Sequence, residues 1–173
     1  MPWVEVFTRE PLRDDTRAKL AQSLSNTMET VEFGHATESG RTVDWMWFHT
    51  LPADMWAVGG RFDDTYVKGR AMCLARIIAP EALMNTDLKH RAIDAVAQDL
   101  REALGVGPND DATGIWVVCV EIKERQWLVG DHIAPVSELV DFFNGDVSQE
   151  RRDGMRATFE GQAKSKDAFG IPK

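Results

Sequence analysis

One pattern narrows the possible folds more than any other: an order of strand, amphipathic helix and strand occurs twice along the chain. The first copy opens on Trp3-Val4-Glu5-Val6-Phe7-Thr8, whose period of two predicts a strand. Leu20, Ala21, Leu24, Met28 and Val31 then recur at helical spacing and predict a helix over 14–31, capped by Asp14 or Asp15. A loop over 32–41 follows, with Gly34, Ser39 and Gly40. Residues 42–50 predict a second strand that is apolar on both faces, Val43, Trp45, Trp47 and His49 on one and Met46 and Phe48 on the other. Residues 55–61 read as a short strand running into the Gly59-Gly60 turn. The second copy is a strand within 66–80, a nearly continuous apolar run broken by Arg76. After it comes a helix capped by Asn85 or Thr86, lined by Leu88, Ala92, Ala95, Val96, Leu100, Ala103 and Leu104 and ended by Gly105. A strand over 113–122 completes the copy.

A duplicated β-α-β order in 173 residues predicts one α+β domain with right-handed crossovers, a four-stranded core sheet and both helices on one sheet face. The other face is then bare. Its large apolar residues, with Trp45, Trp47, Ile115 and Val117 as candidates, need cover, most simply from identical subunits packed sheet to sheet. A homo-oligomer, in the form of a ring, is the expectation. The two repeats occupy 1–135, about 1–60 and 61–135. Residues 136–173 form a C-terminal helical or irregular extension, with helices over 136–144 and 149–159 and a polar tail laid over the oligomer surface.

Charge and composition remove other classes. The net charge is −8 with no basic run, so a nucleic-acid partner is not expected. No apolar stretch approaches the ~20 residues of a membrane span, and the start of the chain lacks a basic region followed by an apolar one. A cytoplasmic location without membrane contact is therefore expected. Cys73 and Cys119 each lie in an apolar, strand-like run, where buried reduced thiols are expected, and four scattered histidines offer no metal spacing. Neither metal nor cofactor is called for.

The residue with most chemistry is Pro2. Removal of Met1 would leave a secondary amine at the chain end, and a terminal amine titrates near neutrality, far below a lysine. Held in an apolar pocket near a cation, it could act as a general base; the plainer reading is an ordinary Met-Pro start. Arg76, a cation inside an apolar strand, must find an anion, either a substrate carboxylate or a partner such as Glu121. Arg70, six residues earlier, shares its facing by period two, and Arg41 precedes the second strand. His49 shares a face with Trp45 and Trp47, as substrate contact or as a packed histidine. Trp116, Trp127 and Phe48 could wall a pocket or serve as core. Arg61 adjoins a glycine turn that lacks the pattern of a phosphate loop.

Taken together, Pro2 opening a strand, the two β-α-β units and the Val58-Gly59-Gly60 turn resemble the tautomerase superfamily (4-oxalocrotonate tautomerase-like), in particular its long fused-repeat branch typified by cis-3-chloroacrylic acid dehalogenase. Leu12, Leu20, Ala21 and Leu24 of the first helix, Asp87-Leu88-Lys89, Ile115-Trp116-Val117 and Pro135 complete the match. The resemblance implies a trimer of β-α-β-β-α-β subunits in which the proline amine is general base or acid on a small 2-oxo or α,β-unsaturated acid. It also exposes departures. Met28 stands where that branch has a histidine, Glu81 and Met84 where it has two arginines, Val118 where it has a tyrosine, and Val129 near its water-activating glutamate. The implied activity is thus a cofactor-independent tautomerase or isomerase acting on a small 2-oxo acid or its enol, with Arg76 or Arg70 neutralising the carboxylate. The alternatives are a hydratase, dehalogenase or decarboxylase on three-carbon unsaturated or 3-oxo acids, with Glu121 or Asp131 activating water, and a catalytically inactive oligomeric homologue. A binding module for aromatic ligands, built on the tryptophans, is a further one.

Overall fold

The computed structural model describes residues 3–81, 83–123, 126–128, 138 and 146–168. Pro2, Val129, Asp131, Pro135 and all but one residue of the helix expected over 136–144 lie outside the described residues.

The duplicated order is present as β1 (Trp3–Thr8), α1 (Asp14–Phe33), a one-turn α2 (Glu38–Arg41) and β2 (Trp45–Thr50), then β3 (Cys73–Pro80), α3 (Thr86–Ala103) and β4 (Ile115–Ile122), followed by α4 (Gln149–Ala168). The strands form one mixed sheet in the order β2-β1-β3-β4. β1 runs parallel to β2 and antiparallel to β3, and β3 runs parallel to β4. Within each repeat the helix returns the chain so that the next strand runs parallel to the first, as a β-α-β connection requires.

Sequence periodicity decides which sheet face is buried. Val4 and Val6 of β1 pair with Ile77 and Ala75 of β3, and all four are fully buried beneath Leu24 and Met28 of α1 and Ala92, Val96 and Leu100 of α3. The helices are joined by Thr27 Oγ1, which donates to Asp99 Oδ2 at 2.7 Å. Asn85 caps α3 by accepting from the Leu88 N–H at 2.9 Å. Gly105, at φ 68°, closes it: its N–H reaches the Glu102 carbonyl and the Val106 N–H reaches that of Arg101.

Several expectations are corrected. Ile115 and Val117 point toward the helices, since Val117 is in register with Ala75; the residues of β4 that face away are Trp116 and Val118. Asp14 and Asp15 do not cap α1. Arg13 is its boundary residue and the two acids sit in the first turn, where their charge suits the exposed N–H groups. No strand of the sheet forms over 55–61. Val58 and Arg61 instead exchange both backbone hydrogen bonds across Gly59 (φ 58°) and Gly60 (φ 77°), a two-residue turn with nothing left to pair. β3 begins at Cys73, because Lys68 and Gly69 adopt left-handed backbone just before it, and Arg70 consequently lies outside the strand. α4 extends to Ala168 rather than 159, and Val147 just ahead of it and Met155 within it join the same apolar cluster as the sheet and α1. No helix of the described residues is long and apolar enough to cross a membrane.

Gly114, just before β4, shows how tightly the second repeat closes. A Cβ there would stand 2.2 Å from the Ala71 carbonyl oxygen and 2.9 Å from Met72 Sδ. Because the Gly114 carbonyl also accepts from the Cys73 N–H, the backbone has little room to withdraw. Gly114→Ala is expected to destabilise the protein by about 1–3 kcal/mol, the usual cost of overpacking, read as a lower urea midpoint. An unchanged midpoint would show that this junction yields more easily than its contacts imply.

Candidate active site

The topology collects chain ends on one side of the sheet. β1 and β2 start there, β3 and β4 finish there, α1 ends there and α3 begins there. Trp3, the first residue of β1, is in register with Trp45 and Ile78, so Asp44 immediately precedes one of its neighbours.

Acidic side chains gather at this end. Glu29 and Glu32, in the last turns of α1, are 1% and 3% exposed, and Asp44 is half-buried. Glu29 is well satisfied: it accepts from the Thr37 N–H and from Ser25 Oγ, and Arg41 Nε lies 3.9 Å away. Burial pushes the Glu32 carboxyl up to about 7, and Asp44 adds to the rise, while the positive charge of the chain's terminal amine and that of Arg151 oppose it. Burial likewise pushes Asp44 up to about 6, reinforced by Glu29 and opposed by the Ser25 hydroxyl and Arg41. Asp44 Oδ2 is buried with no hydrogen-bond partner among the described residues. Two carboxyls that change charge close to neutral pH, both at the end of the sheet where β1 begins, can give and take protons under ordinary conditions.

The local sequence explains why this end is unusual. A helix C-terminus carries partial negative charge and favours cations, yet the last turn of α1 has no basic residue and carries Glu32, with Glu29 just before it. The cation arrives from elsewhere. Arg151 of α4 is 7% exposed and donates from Nε to the Glu32 carbonyl at 2.8 Å and from Nη2 to the Leu83 carbonyl at 3.0 Å.

The residues singled out from sequence fall in three places. Arg41 is at this end, donating to Asn26 Oδ1 at 2.8 Å. Arg76 lies on the sheet face away from the helices, where its Nη1 is 2.9 Å from Glu5 Oε2, its direct neighbour across the β1–β3 ladder. Glu121, the other partner considered for Arg76, pairs with Lys89 at 2.8 Å. Trp116 is on the same face and 66% exposed. His49 also faces that way but lies toward the opposite end, stacked on Phe7 with ring centroids 4.6 Å apart. Arg70 is at that opposite end too, donating to the Val67 and Tyr66 carbonyls and to Thr113, with Asp111 at 3.7 Å. The length of β1, about 17 Å by the rise of a strand, separates it from the acids within one chain. Phe48 and Trp127 pack against the core, and Arg61 holds Asp63 at the glycine turn. Cys73 and Cys119 are free thiols, and burial pushes Cys73 up to about 12.

Glu32, Asp44, Glu29 and Arg151 were not singled out. The signal available in the sequence was the pair of acids at the end of a helix whose last turn offers no cation.

No protein-family model matches the chain, and a search of curated proteins finds no significant relative. Solved structures do match. The fused 4-OT wild-type symmetric trimer is 20% identical with a TM-score of 0.57, over 74% of this chain and 91% of that one. Pt0534 inactivated by 2-oxo-3-pentynoate is 12% identical with a TM-score of 0.61, over 79% and 98%. Macrophage migration inhibitory factor of Toxoplasma gondii is 12% identical with a TM-score of 0.55, over 75% and 97%. The chain has the fold of the tautomerase superfamily, and this likeness does not single out the dehalogenase branch.

Proposed function

We propose that the protein is a cofactor-independent tautomerase acting on a small 2-oxo acid or its enol, with Pro2, freed by removal of Met1, as one proton carrier and the Glu32–Asp44 pair as the other. The observation that carries this reading is the pair itself: two carboxyls poised to titrate near neutrality, at the end of the sheet where β1 starts one residue after Pro2. Tautomerisation needs one group to remove a proton and another to return it at a different atom, and groups with near-neutral pKa values do both best. The inactivation of the structurally similar Pt0534 by a 2-oxo acid supports the substrate class.

The carboxyls revise the expected role of the amine. Neighbouring negative charge raises an amine pKa, whereas an arginine would lower it. Beside such carboxyls the Pro2 amine would therefore be a cation that donates a proton to the enol carbon as the ketone forms, and the carboxylate would accept the proton leaving the enol hydroxyl. Within one chain we assign to Arg41, which lies at this same end, the role of meeting a substrate carboxylate. The matched fused 4-OT is a trimer, and a trimer of this chain would bring Arg76, His49 and Trp116 to a site only across a subunit boundary. Asp44 Oδ2 favours a second reading, addition of water to a three-carbon unsaturated acid, since an unbonded carboxylate oxygen can hold and activate a water.

Mass spectrometry establishes whether Met1 is removed, and loss of enol absorbance from an arylenolpyruvate measures tautomerisation directly. Pro2→Ala is expected to lower kcat/KM by about 100-fold, the scale of one general acid–base group. Equal rates for the two proteins, or a retained Met1, would defeat the proposal; halide release or hydration without enol loss would favour the second reading.

A further inference from the structure

The last turn of α1 is built in a way its own sequence does not support. Of the carbonyls a helix leaves unpaired at its C-terminus, that of Thr30 takes the Gly34 N–H, a local closure. Those of Glu32 and Phe33 meet the start of α4: Arg151 Nε donates to the first, and the Ser148 N–H donates to the second at 2.9 Å. The fit is close. A Cβ on Gly34 would stand 2.7 Å from Ser148 Oγ, so the glycine that ends α1 also admits the first turn of α4. Ser39 of α2 donates to Asp146 just ahead of it. The second arm of Arg151, on the Leu83 carbonyl, ties the same guanidinium to the connection between β3 and α3.

We infer that Arg151 is a positioning residue of the candidate site: through the carbonyls of Glu32 and Leu83 it fixes the last turn of α1 against the β3–α3 connection and supplies the positive charge that this turn lacks, holding the Glu32 side chain at the head of β1. The C-terminal helix is then part of the site's machinery, acting through Glu32 without touching substrate. A cation at a helix C-terminus is favourable in itself, and a buried guanidinium bonded to two carbonyls is the form least able to leave. The charges that act on Glu32 are those of the terminal amine, which also hydrogen-bonds its carboxyl, of Asp44 ahead of β2 and of Arg151 from α4, and Arg151 is bonded to the backbone carbonyl of Glu32 itself. This inference rests on the proposed role of Glu32 for its catalytic meaning, though not for its electrostatics.

The test uses the full chain and two substitutions, Arg151→Met and Arg151→Lys. Carbon-detected NMR of protein labelled at the glutamate carboxyls, with Glu32→Gln to assign the resonance, follows the Glu32 titration without any substrate. Removing the cation should move the Glu32 midpoint upward by about one pH unit, the lower end of what a nearby opposite charge contributes, and lysine should restore most of it. In the enol assay the acid limb of the kcat/KM profile should move by the same amount, with kcat affected more than KM. An unmoved Glu32 midpoint in a folded Arg151→Met protein would overturn the inference, as would a lysine variant that titrates like methionine. If methionine unfolds the chain, the lysine variant decides: a midpoint within half a unit of the parent supports the inference, and a full upward shift opposes it. A parent protein with no enol activity whose Glu32 midpoint nevertheless follows Arg151 would defeat the proposed function and leave the electrostatic coupling standing.

Discussion

Glu32→Gln is expected to give a protein that is more stable and less active, with the gain in stability building from about pH 4.5 and complete above about pH 7. The folded carboxyl titrates at about 7, against 4.5 for the unfolded group, because burial penalises its charge. With the folded pKa raised, the folded state keeps a proton that the unfolded chain has already released between those values. Stability from this group is therefore complete below about 4.5 and is lost as pH rises through 7. Above that point the accumulated cost is on the order of 3 kcal/mol, and Asp44, shifted the same way, adds to it. Glutamine keeps the shape, carries no charge and leaves the backbone carbonyl free to accept from Arg151. At pH 8 the variant should resist unfolding by about 2–3 kcal/mol more than the parent, a rise in Tm of roughly 5–10 °C for a chain of this size, and at pH 5 the two should nearly coincide. Enol turnover should meanwhile fall by about 100-fold, because one of the two proton carriers is gone. Urea titrations at both pH values, with kinetics alongside, make the check. A variant no more stable than the parent at pH 8 would mean that Glu32 is not held at a cost, and the main reason for placing it in a site would disappear.

That trade explains which parts of this protein could be read from its sequence. The sheet, both long helices and the Asn85 cap follow from periodicity and local chemistry, which act over a few residues: Val4 and Val6 alternate, Leu20, Leu24 and Met28 recur, and Gly105 ends α3 because only left-handed backbone closes it there. The faces of β4 did not follow. Every residue from Ile115 to Val120 is apolar or thiol-bearing, so alternation carries no information, and only pairing with Ala75 decides that Val117 turns inward and Trp116 outward. The pairing of Arg76 could not be read either. Its partner, Glu5, is 71 positions away in sequence and adjacent only because β1 lies antiparallel to β3. The acids were hidden for the same reason. Glu32 reads as an ordinary polar residue in a helix-to-loop transition until α4, more than a hundred residues later, reaches its carbonyl and lends the turn a cation.

The face of the sheet turned away from the helices carries the second large prediction: the protein should assemble through it, and charge placed at its two edges should take the assembly apart. Trp45 on β2 is 60% exposed, Trp116 on β4 is 66% exposed, and Trp47, two residues along β2, is 42% exposed, with Trp3 and Trp45 packed against Trp47 at ring centroid distances of 6.0 and 6.5 Å. Large aromatic side chains spread over one face of a sheet are costly to leave in water, at about 25 cal/mol per Å² of apolar surface, and a second copy offers the same chemistry in return. In a closed trimer each substitution is introduced three times. A Trp45→Glu, Trp116→Glu double variant would thus have to bury six carboxylates, and several kcal/mol lost per site moves a dissociation constant by more than a thousandfold. Sedimentation at micromolar concentration should show about three chains per particle for the parent and one for the double variant, with far-UV circular dichroism unchanged because neither tryptophan belongs to the core cluster. The same variant separates a site contained in one subunit from a shared one. Loss of enol turnover in a folded monomer with a normal Glu32 titration would place part of the substrate contact on a neighbour, where Arg76 and Trp116 lie on the joined face. A parent protein that sediments as a single chain at high concentration would remove both the assembly and any role for those two residues in binding substrate.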